Sequence, residues 1–259
     1  MQKLKRKLSR TLLGKDPDYP DMFTSVREQF FAQLYLRKIR AHLSEVFGER
    51  KISLLDAGCQ AGRLSIPLAR DGHEVTGVDT SSFALKRAAL HAKETGVSLS
   101  LLHGDVSKIL EKENCLFDAI LCLEVLYLRE NFKDFLRIFR EHLTENGFLA
   151  VSHRTKFFYL TQAIKKSDLK TASFILENSE GKLWGSYFNW QSVAELKTLY
   201  AASGFGEVVF YPIGTFSEIL IEPDTVSPED RQTLFRIEEE FPDERTGCAR
   251  YVLACARKR

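Results

Sequence analysis

The chain has 259 residues, of which 44% are apolar and 28% charged, and its formal net charge is +2. This length and apolar content allow one substantial core, and the near-neutral charge favours neither a nucleic-acid nor a membrane partner. No apolar run approaches the roughly 18 to 20 residues of a membrane span, and the N-terminus lacks the apolar block of a signal peptide. We therefore expect a cytoplasmic protein with no membrane span.

The five cysteines form no CxxC pair and have no neighbouring histidine cluster. Such a set predicts neither a metal site nor a disulfide framework. The first ten residues, MQKLKRKLSR, are locally basic, and we interpret them as a solvated helix end.

The N-terminal part of the chain predicts a helical flank or lid, because apolar residues recur at helical spacing between Thr24 and Phe47. From Lys51 the pattern changes to short apolar strands that alternate with helices, as far as a strand at residues 147–153. Repeated strand–helix–strand units predict a parallel sheet with helices on both faces.

Residues 154–190 interrupt this alternation and are rich in aromatic side chains, so we predict a mostly helical cap there. The chain then resumes with a helix closed by Gly204, a strand, a helix that starts near Ser227, and a last strand at residues 250–256. We expect a single domain made of four parts: a flank or lid (1–48), a cofactor-binding core (49–153), the cap (154–190) and the elements that complete the sheet (191–259).

Three successive predicted strands end in an acid, namely Asp56, Asp79 and Asp105. The carboxyl ends of parallel strands meet at the edge of a sheet where ligands bind. Asp79 follows Gly58 at the spacing of about 20 residues at which a carboxylate accepts hydrogen bonds from both ribose hydroxyls of a nucleoside. Any one of these acids could instead cap a helix, but three in series favour a ligand site.

The glycine turn between residues 56 and 62, DAGCQAG, bears on which nucleoside would bind. The spacing to Asp79 suits NAD, but the turn reads G-x-x-x-G rather than G-x-G-x-x-G, and Asp56 would repel a pyrophosphate. A ligand with an ammonium and a sulfonium but no phosphate would gain from an acid-lined cleft. S-adenosylmethionine is such a ligand.

Five motifs occur in order, at residues 56–62, 79, 104–105, 117–123 and 143–149. Together they resemble the motif series of the class I S-adenosylmethionine (SAM)-dependent methyltransferases. The resemblance implies an α/β fold with a Rossmann-like seven-stranded sheet of order 3-2-1-4-5-7-6, its last strand antiparallel, and helices on both faces. It also implies transfer of a methyl group from SAM, with S-adenosylhomocysteine (SAH) as the product.

Two segments narrow the resemblance within that class. Residues 122–128 and 151–156 are most similar to the small-molecule branch that includes ubiquinone-biosynthesis O-methyltransferases. This similarity implies a small-molecule acceptor, with a hydroxyl as the methylated group, and an in-line displacement.

By the same resemblance, the cofactor would contact the ends of the first three strands. The backbone of Gly58 and Gly62 would approach the methionine part, and Asp56 would lie near its ammonium. Asp79 would bind the ribose hydroxyls, and Asp105 would accept from the adenine amino group.

Two further contacts and one departure complete the predicted cofactor site. Val106 would contact the adenine ring, and Leu123 would lie near the sulfonium. Gln60 stands where the family has a glycine, so its side chain either points away or adds a polar contact. The predicted cofactor residues are Asp56, Ala57, Gly58, Gln60, Gly62, Asp79, Thr80, Gly104, Asp105, Val106 and Leu123.

The catalytic candidates are His153, Glu124 and Tyr127. Many members of the branch carry a histidine where this chain has Leu128, so His153 is the available substitute. An imidazole there would face the cleft and accept a hydroxyl proton near neutral pH, or it would only hydrogen-bond the loop. Glu124 and Tyr127 could orient a polar substrate, although Glu124 could instead cap or pair within its loop.

The cap is expected to help form the acceptor pocket, with Trp184, Tyr187 and Trp190 exposed to it. Two other functions stay open: an RNA methyltransferase that uses the basic N-terminus, and a SAM-binding protein without methyl transfer. An NAD-dependent oxidoreductase is the least favoured alternative. The sequence identifies neither the acceptor, nor the methylated atom, nor the oligomeric state.

Overall fold

A computed structural model describes residues 21–113, 115–240 and 243–258. The α-helices are α1 Val26–Phe47, α2 Ser65–Arg70, α3 Ser82–Thr95, α4 Val106–Glu113, α5 Phe132–Glu141, α6 Lys156–Lys165, α7 Leu169–Glu177, α8 Val193–Ala202 and α9 Pro228–Glu240. The strands are β1 Ser53–Ala57, β2 Glu74–Asp79, β3 Ser100–His103, β4 Phe117–Cys122, β5 Leu143–Arg154, β6 Glu180–Leu183, β7 Ser186–Asn189, β8 Phe205–Ile213 and β9 Tyr251–Lys258. Short 3₁₀ helices span Leu126–Leu128 and Asp243–Cys248. The basic segment MQKLKRKLSR lies outside the described residues.

Seven strands form one sheet in the order β3-β2-β1-β4-β5-β9-β8. Strands β1 to β5 pair in parallel, and β9 runs antiparallel to both of its neighbours, β5 and β8. Because β6 and β7 form a separate hairpin, β8 and β9 are the sixth and seventh strands of this sheet along the chain. The predicted order 3-2-1-4-5-7-6, with an antiparallel last strand, is confirmed.

Both faces of the sheet are buried, which explains the continuous apolar run in β5. Phe148 and Ala150 belong to the cluster that also contains side chains of α1 and α9. Leu149 and Val151 point to the opposite face and pack with side chains of α4, α5 and α8. Side chains of a strand alternate between faces, so the orientation of each residue at the end of β5 follows from this register.

Helix α1 has nearly the bounds that the sequence predicts, and it covers one face of the sheet. Ser25 caps its first turn by accepting the backbone N–H of Glu28, and the chain leaves the helix at Gly48 with φ +61°. Phe31, Tyr35 and Ile39 are fully buried at helical spacing. This face of α1 packs against β5, β8 and β9.

Residues 154–190 are less helical than predicted. They contain α6 and α7, but also the antiparallel hairpin of β6 and β7. Its two-residue turn consists of Trp184 and Gly185, both with positive φ, as a tight hairpin of type I′ requires. Tight hairpin turns of this type usually contain Asn, Asp or Gly at the first turn position, so a sequence with Trp184 there does not predict a hairpin.

None of the helices in the described part of the chain combines the length and the apolar composition that a membrane crossing needs.

Candidate active site

A cleft opens at the carboxyl edge of the parallel strands, where the loops after β1 to β5 converge. Eleven predicted site residues line it: Asp56, Gly58, Gln60, Asp79, Thr80, Gly104, Asp105, Val106, Leu123, Glu124 and Tyr127. Three others, Ala57, Gly62 and His153, do not line it. The cleft therefore brings the predicted strand-end acids together.

The glycine turn after β1 is held tightly against neighbouring strands. Gly58 has φ +88°, its N–H donates to the carbonyl of Val78 at 2.7 Å, and a Cβ added to it would lie 2.3 Å from a methyl group of Val125. Gln60 also has a positive φ, of +49°, and its side-chain oxygen accepts the N–H of Ala61 at 2.6 Å. The polar contact of Gln60 is thus made within its own turn.

Asp79 joins this turn to the start of α3. One carboxylate oxygen accepts the backbone N–H of Gln60 at 3.0 Å, and the other accepts that of Ser81 at 2.7 Å. These two hydrogen bonds orient the Asp79 carboxylate at the edge of the cleft, which Asp79 lines.

Asp56 is buried at the end of β1. Its carboxylate accepts a hydrogen bond from the Ser65 hydroxyl at 2.5 Å. Burial raises the pKa of Asp56 to about 6, although the Ser65 hydrogen bond and the charge of Arg63 oppose this rise. A cation placed beside Asp56 would favour its ionised form.

Asp105 is held by two partners that leave it fully ionised near neutral pH. Ser107 donates its backbone N–H at 3.1 Å and its hydroxyl at 2.7 Å, and Arg129 forms an ion pair at 2.5 Å. Burial alone would raise the pKa of Asp105, but these hydrogen bonds and the Arg129 charge hold it below its usual value. Sequence reasoning missed Arg129, which lines the same cleft.

Glu124 follows β4 with φ +61°, and its side-chain partners lie outside its own loop, so it does not pair within the loop as the alternative interpretation proposed. Its carboxylate accepts from Arg63 at 2.7 Å and from the Tyr251 hydroxyl at 2.8 Å. Burial opposes its charge, but Arg63, Arg250 and Arg154 together lower the pKa of Glu124 to about 2. A carboxylate with this pKa is a poor acceptor for a hydroxyl proton.

His153 does not face the cleft, contrary to the prediction. It lies on the face of β5 opposite to its neighbours Ser152 and Arg154, and only 1% of it is exposed. Its Nε2 lies 3.0 Å from the Tyr200 hydroxyl. Burial lowers the pKa of His153 to about 3. The strand register thus assigns His153 to the core and places Arg154 in the cleft.

The three cap aromatics predicted to face the pocket do not line it. Trp190 is fully buried inside the cap, where its indole N–H donates to the carbonyl of Asn178 at 2.7 Å. Trp184 occupies the hairpin turn, and the Tyr187 hydroxyl donates to Glu180. The cap instead supports the cleft from behind, because Phe188 stacks on Tyr127.

A network of charged residues that sequence reasoning missed lines the other half of the cleft. Its members are Arg27, Glu28, Arg63, Arg154 and Arg250. Of these residues, Arg154 is the one that the sequence could best have indicated, because it is the last residue of β5 and lies at the edge of the sheet where ligands bind. Because side chains of a strand alternate between its two faces, His153 and Arg154 point to opposite sides, and the sequence alone does not determine which of them points to the cleft.

Comparison with known proteins agrees with this architecture. Residues 54–147 match the profile of a methyltransferase domain family. The ubiquinone biosynthesis O-methyltransferase of Rickettsia canadensis (strain McKiel) is 30% identical over 158 residues, which are 60% of this chain and 63% of that protein. The chain thus spans less than two thirds of the length of this relative.

Two solved structures share the fold at low sequence identity. Magnesium protoporphyrin IX methyltransferase (ChlM) from Synechocystis PCC 6803 with bound SAH has a TM-score of 0.59 at 18% identity, over 90% of this chain and 86% of that one. The [4+2]-cyclase SpnF has a TM-score of 0.57 at 18% identity, over 87% and 82% of the two chains. The match of residues 54–147 to the methyltransferase domain family agrees with the fold, which is the Rossmann-like seven-stranded fold of these solved structures.

Proposed function

We propose that the protein is a SAM-dependent methyltransferase that methylates a hydroxyl group of a small molecule. The observation that carries this proposal is the row of three acids, Asp56, Asp79 and Asp105, which line one cleft from the ends of β1, β2 and β3. A cofactor with a cationic methionine part and an uncharged adenosine part complements such a row. The methyltransferase domain match and the O-methyltransferase relative support the same assignment.

The described residues fit the cofactor. Asp79 would accept from the ribose hydroxyls, and the buried carboxylate of Asp56 would compensate the ammonium. Asp105 would accept from the adenine amino group, with Val106 against the ring and Leu123 near the sulfonium. Gly58 lets the backbone of the turn lie in the cleft without a side chain.

A SAM molecule held by Asp56, Asp79 and Asp105 would supply a methyl group on a sulfonium; an acceptor oxygen would take this methyl group as the carbon–sulfur bond breaks, and the sulfur would keep the electron pair. The protein must hold the reacting groups in line and exclude water. Neither His153 nor Glu124 is suited to take the hydroxyl proton. The acceptor would therefore lose its hydroxyl proton to solvent before it docks, as an acidic hydroxyl such as that of a phenol can.

A SAM-binding protein without methyl transfer is the second candidate. The unsuitability of His153 and Glu124 as bases favours it, and the fold neighbour SpnF is named as a [4+2]-cyclase rather than as a methyltransferase. Fold alone does not decide between these reactions. For the RNA methyltransferase alternative, the basic N-terminal segment on which it depends lies outside the described residues.

The test combines binding with turnover. SAH should bind to the purified protein in calorimetry, and labelled SAM should transfer its methyl group to a hydroxylated compound in small-molecule extracts. Binding of SAH with no transfer to any small-molecule or RNA fraction would favour the second candidate, and failure to bind SAH would refute both.

A further inference from the structure

The charge of the cleft changes sign along the edge of the sheet. The acids Asp105, Asp79 and Asp56 lie at the ends of β3, β2 and β1. Beyond β4, Arg154 ends β5, and Arg250 directly precedes β9. Because the acidic half suits the cofactor, the basic half is left for the acceptor.

Most of the arginines in the basic half are neutralised by carboxylates. Arg63 pairs with Glu28 at 2.5 Å and with Glu124 at 2.7 Å. The other pairs are Arg27 with Glu28, Arg27 with Glu218, and Arg250 with Glu218. Three arginines thus share three carboxylates among the described residues. A fourth cleft-lining arginine, Arg154, forms no ion pair within this part of the chain.

The guanidinium of Arg154 is buried and held by aromatic rings. Its carbon lies 4.9 Å from the ring centre of Tyr127, 4.2 Å from that of Phe158 and 4.0 Å from that of Tyr251. The residue is only 8% exposed, and its Nε and Nη1 have no hydrogen-bond partner among the described residues. Cation–π contacts hold a guanidinium in place, but they do not satisfy N–H donors that lie in its plane. Such buried donors are costly when they lack an acceptor.

We propose that Arg154 binds a carboxylate of the methyl acceptor, so that the substrate is a small hydroxylated carboxylic acid. This inference rests on the proposed function. A carboxylate supplies two coplanar acceptors that match the Nη1–Nη2 edge of a guanidinium, and its single negative charge balances the one arginine of the basic half that has no carboxylate partner among the described residues. The three rings fix the fork before binding, which reduces the entropy that is lost when the acceptor docks.

The position of Arg154 suits an anchor that is separate from the reacting group. Strand β5 pairs with β4, with Val151 beside Cys122, and the Glu124 N–H donates to the Ser152 hydroxyl at 2.6 Å, so the end of β5 that carries Arg154 lies near the segment that follows β4. In the proposed function Leu123 is near the sulfonium. A carboxylate held by Arg154 would therefore place the rest of the acceptor beside the methyl group that it receives.

Calorimetry with the full chain saturated with SAH tests the inference without knowledge of the true substrate. The probes are benzoate, its neutral isostere benzamide, and phenyl phosphate. We expect benzoate to bind about tenfold or more tightly than benzamide, the difference typical of a charge-assisted hydrogen-bond pair. Tighter binding of phenyl phosphate than of benzoate would overturn the assignment to a carboxylate.

Two variants assign this preference to one residue. Arg154→Gln should lose the preference for benzoate while it retains SAH binding, and the control Arg37→Gln, a surface arginine on α1, should keep both. Arg154→Lys keeps the charge but not the fork, so it should retain only part of the preference. If Arg154→Gln does not fold, the comparison of Arg154→Lys with wild type decides the role of Arg154.

The outcomes separate this inference from the function on which it rests. If SAH does not bind to the wild type, the proposed function fails. If SAH binds but benzoate binds no better than benzamide, including no binding of either, the inference fails and the proposed function stands. A preference that persists unchanged in Arg154→Gln or in Arg154→Lys likewise overturns the assignment to Arg154.

Discussion

Arg129 and Asp105 form an ion pair at the edge of the cleft, with 2.5 Å between Nη2 and Oδ2. Asp105 follows β3, whereas Arg129 follows the 3₁₀ turn after β4. Since β2 and β1 lie between those strands in the sheet, the pair connects two loops that the sheet keeps apart. The acid proposed to bind adenine therefore has a cationic partner within the protein.

A double-mutant cycle shows whether Asp105 acts on the cofactor or only through Arg129. We expect Asp105→Ala to weaken SAH binding by about 1 to 2 kcal/mol, because the adenine amino group loses its acceptor. The same loss should appear in the Arg129→Gln background, as measured by calorimetry. If Asp105→Ala has no effect once Arg129 is replaced, Asp105 serves only to position the arginine.

Replacement of Asp79 should remove most of the affinity for the cofactor. Asp79→Ala leaves two ribose hydroxyls without an acceptor, and we expect a loss of about 1 to 3 kcal/mol or more in SAH binding. Asp79→Asn keeps an oxygen for the N–H groups of Gln60 or Ser81 and serves as the control for the shape of the turn. Unchanged calorimetric affinity in Asp79→Ala would contradict the role of Asp79.

The ionised form of Asp56 should lower the free energy of unfolding of the cofactor-free protein, although it strengthens SAH binding. Its pKa is raised from 3.8 to about 6, so the folded protein binds this proton more tightly than the unfolded chain does. Ionisation of Asp56 therefore lowers the free energy of unfolding as the pH rises from 3.8 to about 6, and the full cost persists above that range.

Asp56→Asn removes this cost. At pH 7.5 we expect the cofactor-free variant to be about 1 to 3 kcal/mol more stable than the wild type in urea unfolding, and this difference should disappear near pH 4. SAH binding should weaken by about tenfold, because the ammonium loses its carboxylate. A variant that is less stable at pH 7.5, or that binds SAH normally, would contradict this account.

His153 should act on stability rather than on turnover. Burial lowers its pKa from 6.5 to about 3, so the neutral ring stabilises the fold above pH 6.5, and this contribution is lost as the pH falls towards 3. In His153→Gln an amide can keep a hydrogen bond to Tyr200. We expect turnover within about twofold of the wild type and a smaller loss of stability between pH 7.5 and 5, by urea unfolding. A pH–rate profile that loses its acidic limb in this variant would restore His153 as the base.

The acidic half of the cleft could be predicted from the sequence because its signals are local. The acids at the strand ends and the glycine turn can be read directly from the sequence. Their place in the fold then follows from the rule that parallel strands share a carboxyl edge, where ligands bind. The order of the seven strands came from family resemblance, since periodicity does not reveal which strands are neighbours.

The basic half could not be predicted because it depends on long-range packing. His153 and Arg154 are adjacent in the sequence, and only the pairing of β5 with β9 and the helices on each face decide which one enters the cleft. The partners of Glu124 come from residues 61 and 127 positions away. Aromatic side chains such as Trp190 are common in ligand pockets, but Trp190 and its neighbours pack together as the core of the cap instead.

The central claim is that the acid-lined cleft binds SAM rather than a dinucleotide. The most direct measurement is a calorimetric titration of the purified protein with SAH, with NAD in parallel. We expect SAH alone to bind, with an affinity that falls in Asp79→Ala. Binding of NAD in preference to SAH, or of neither, would contradict it.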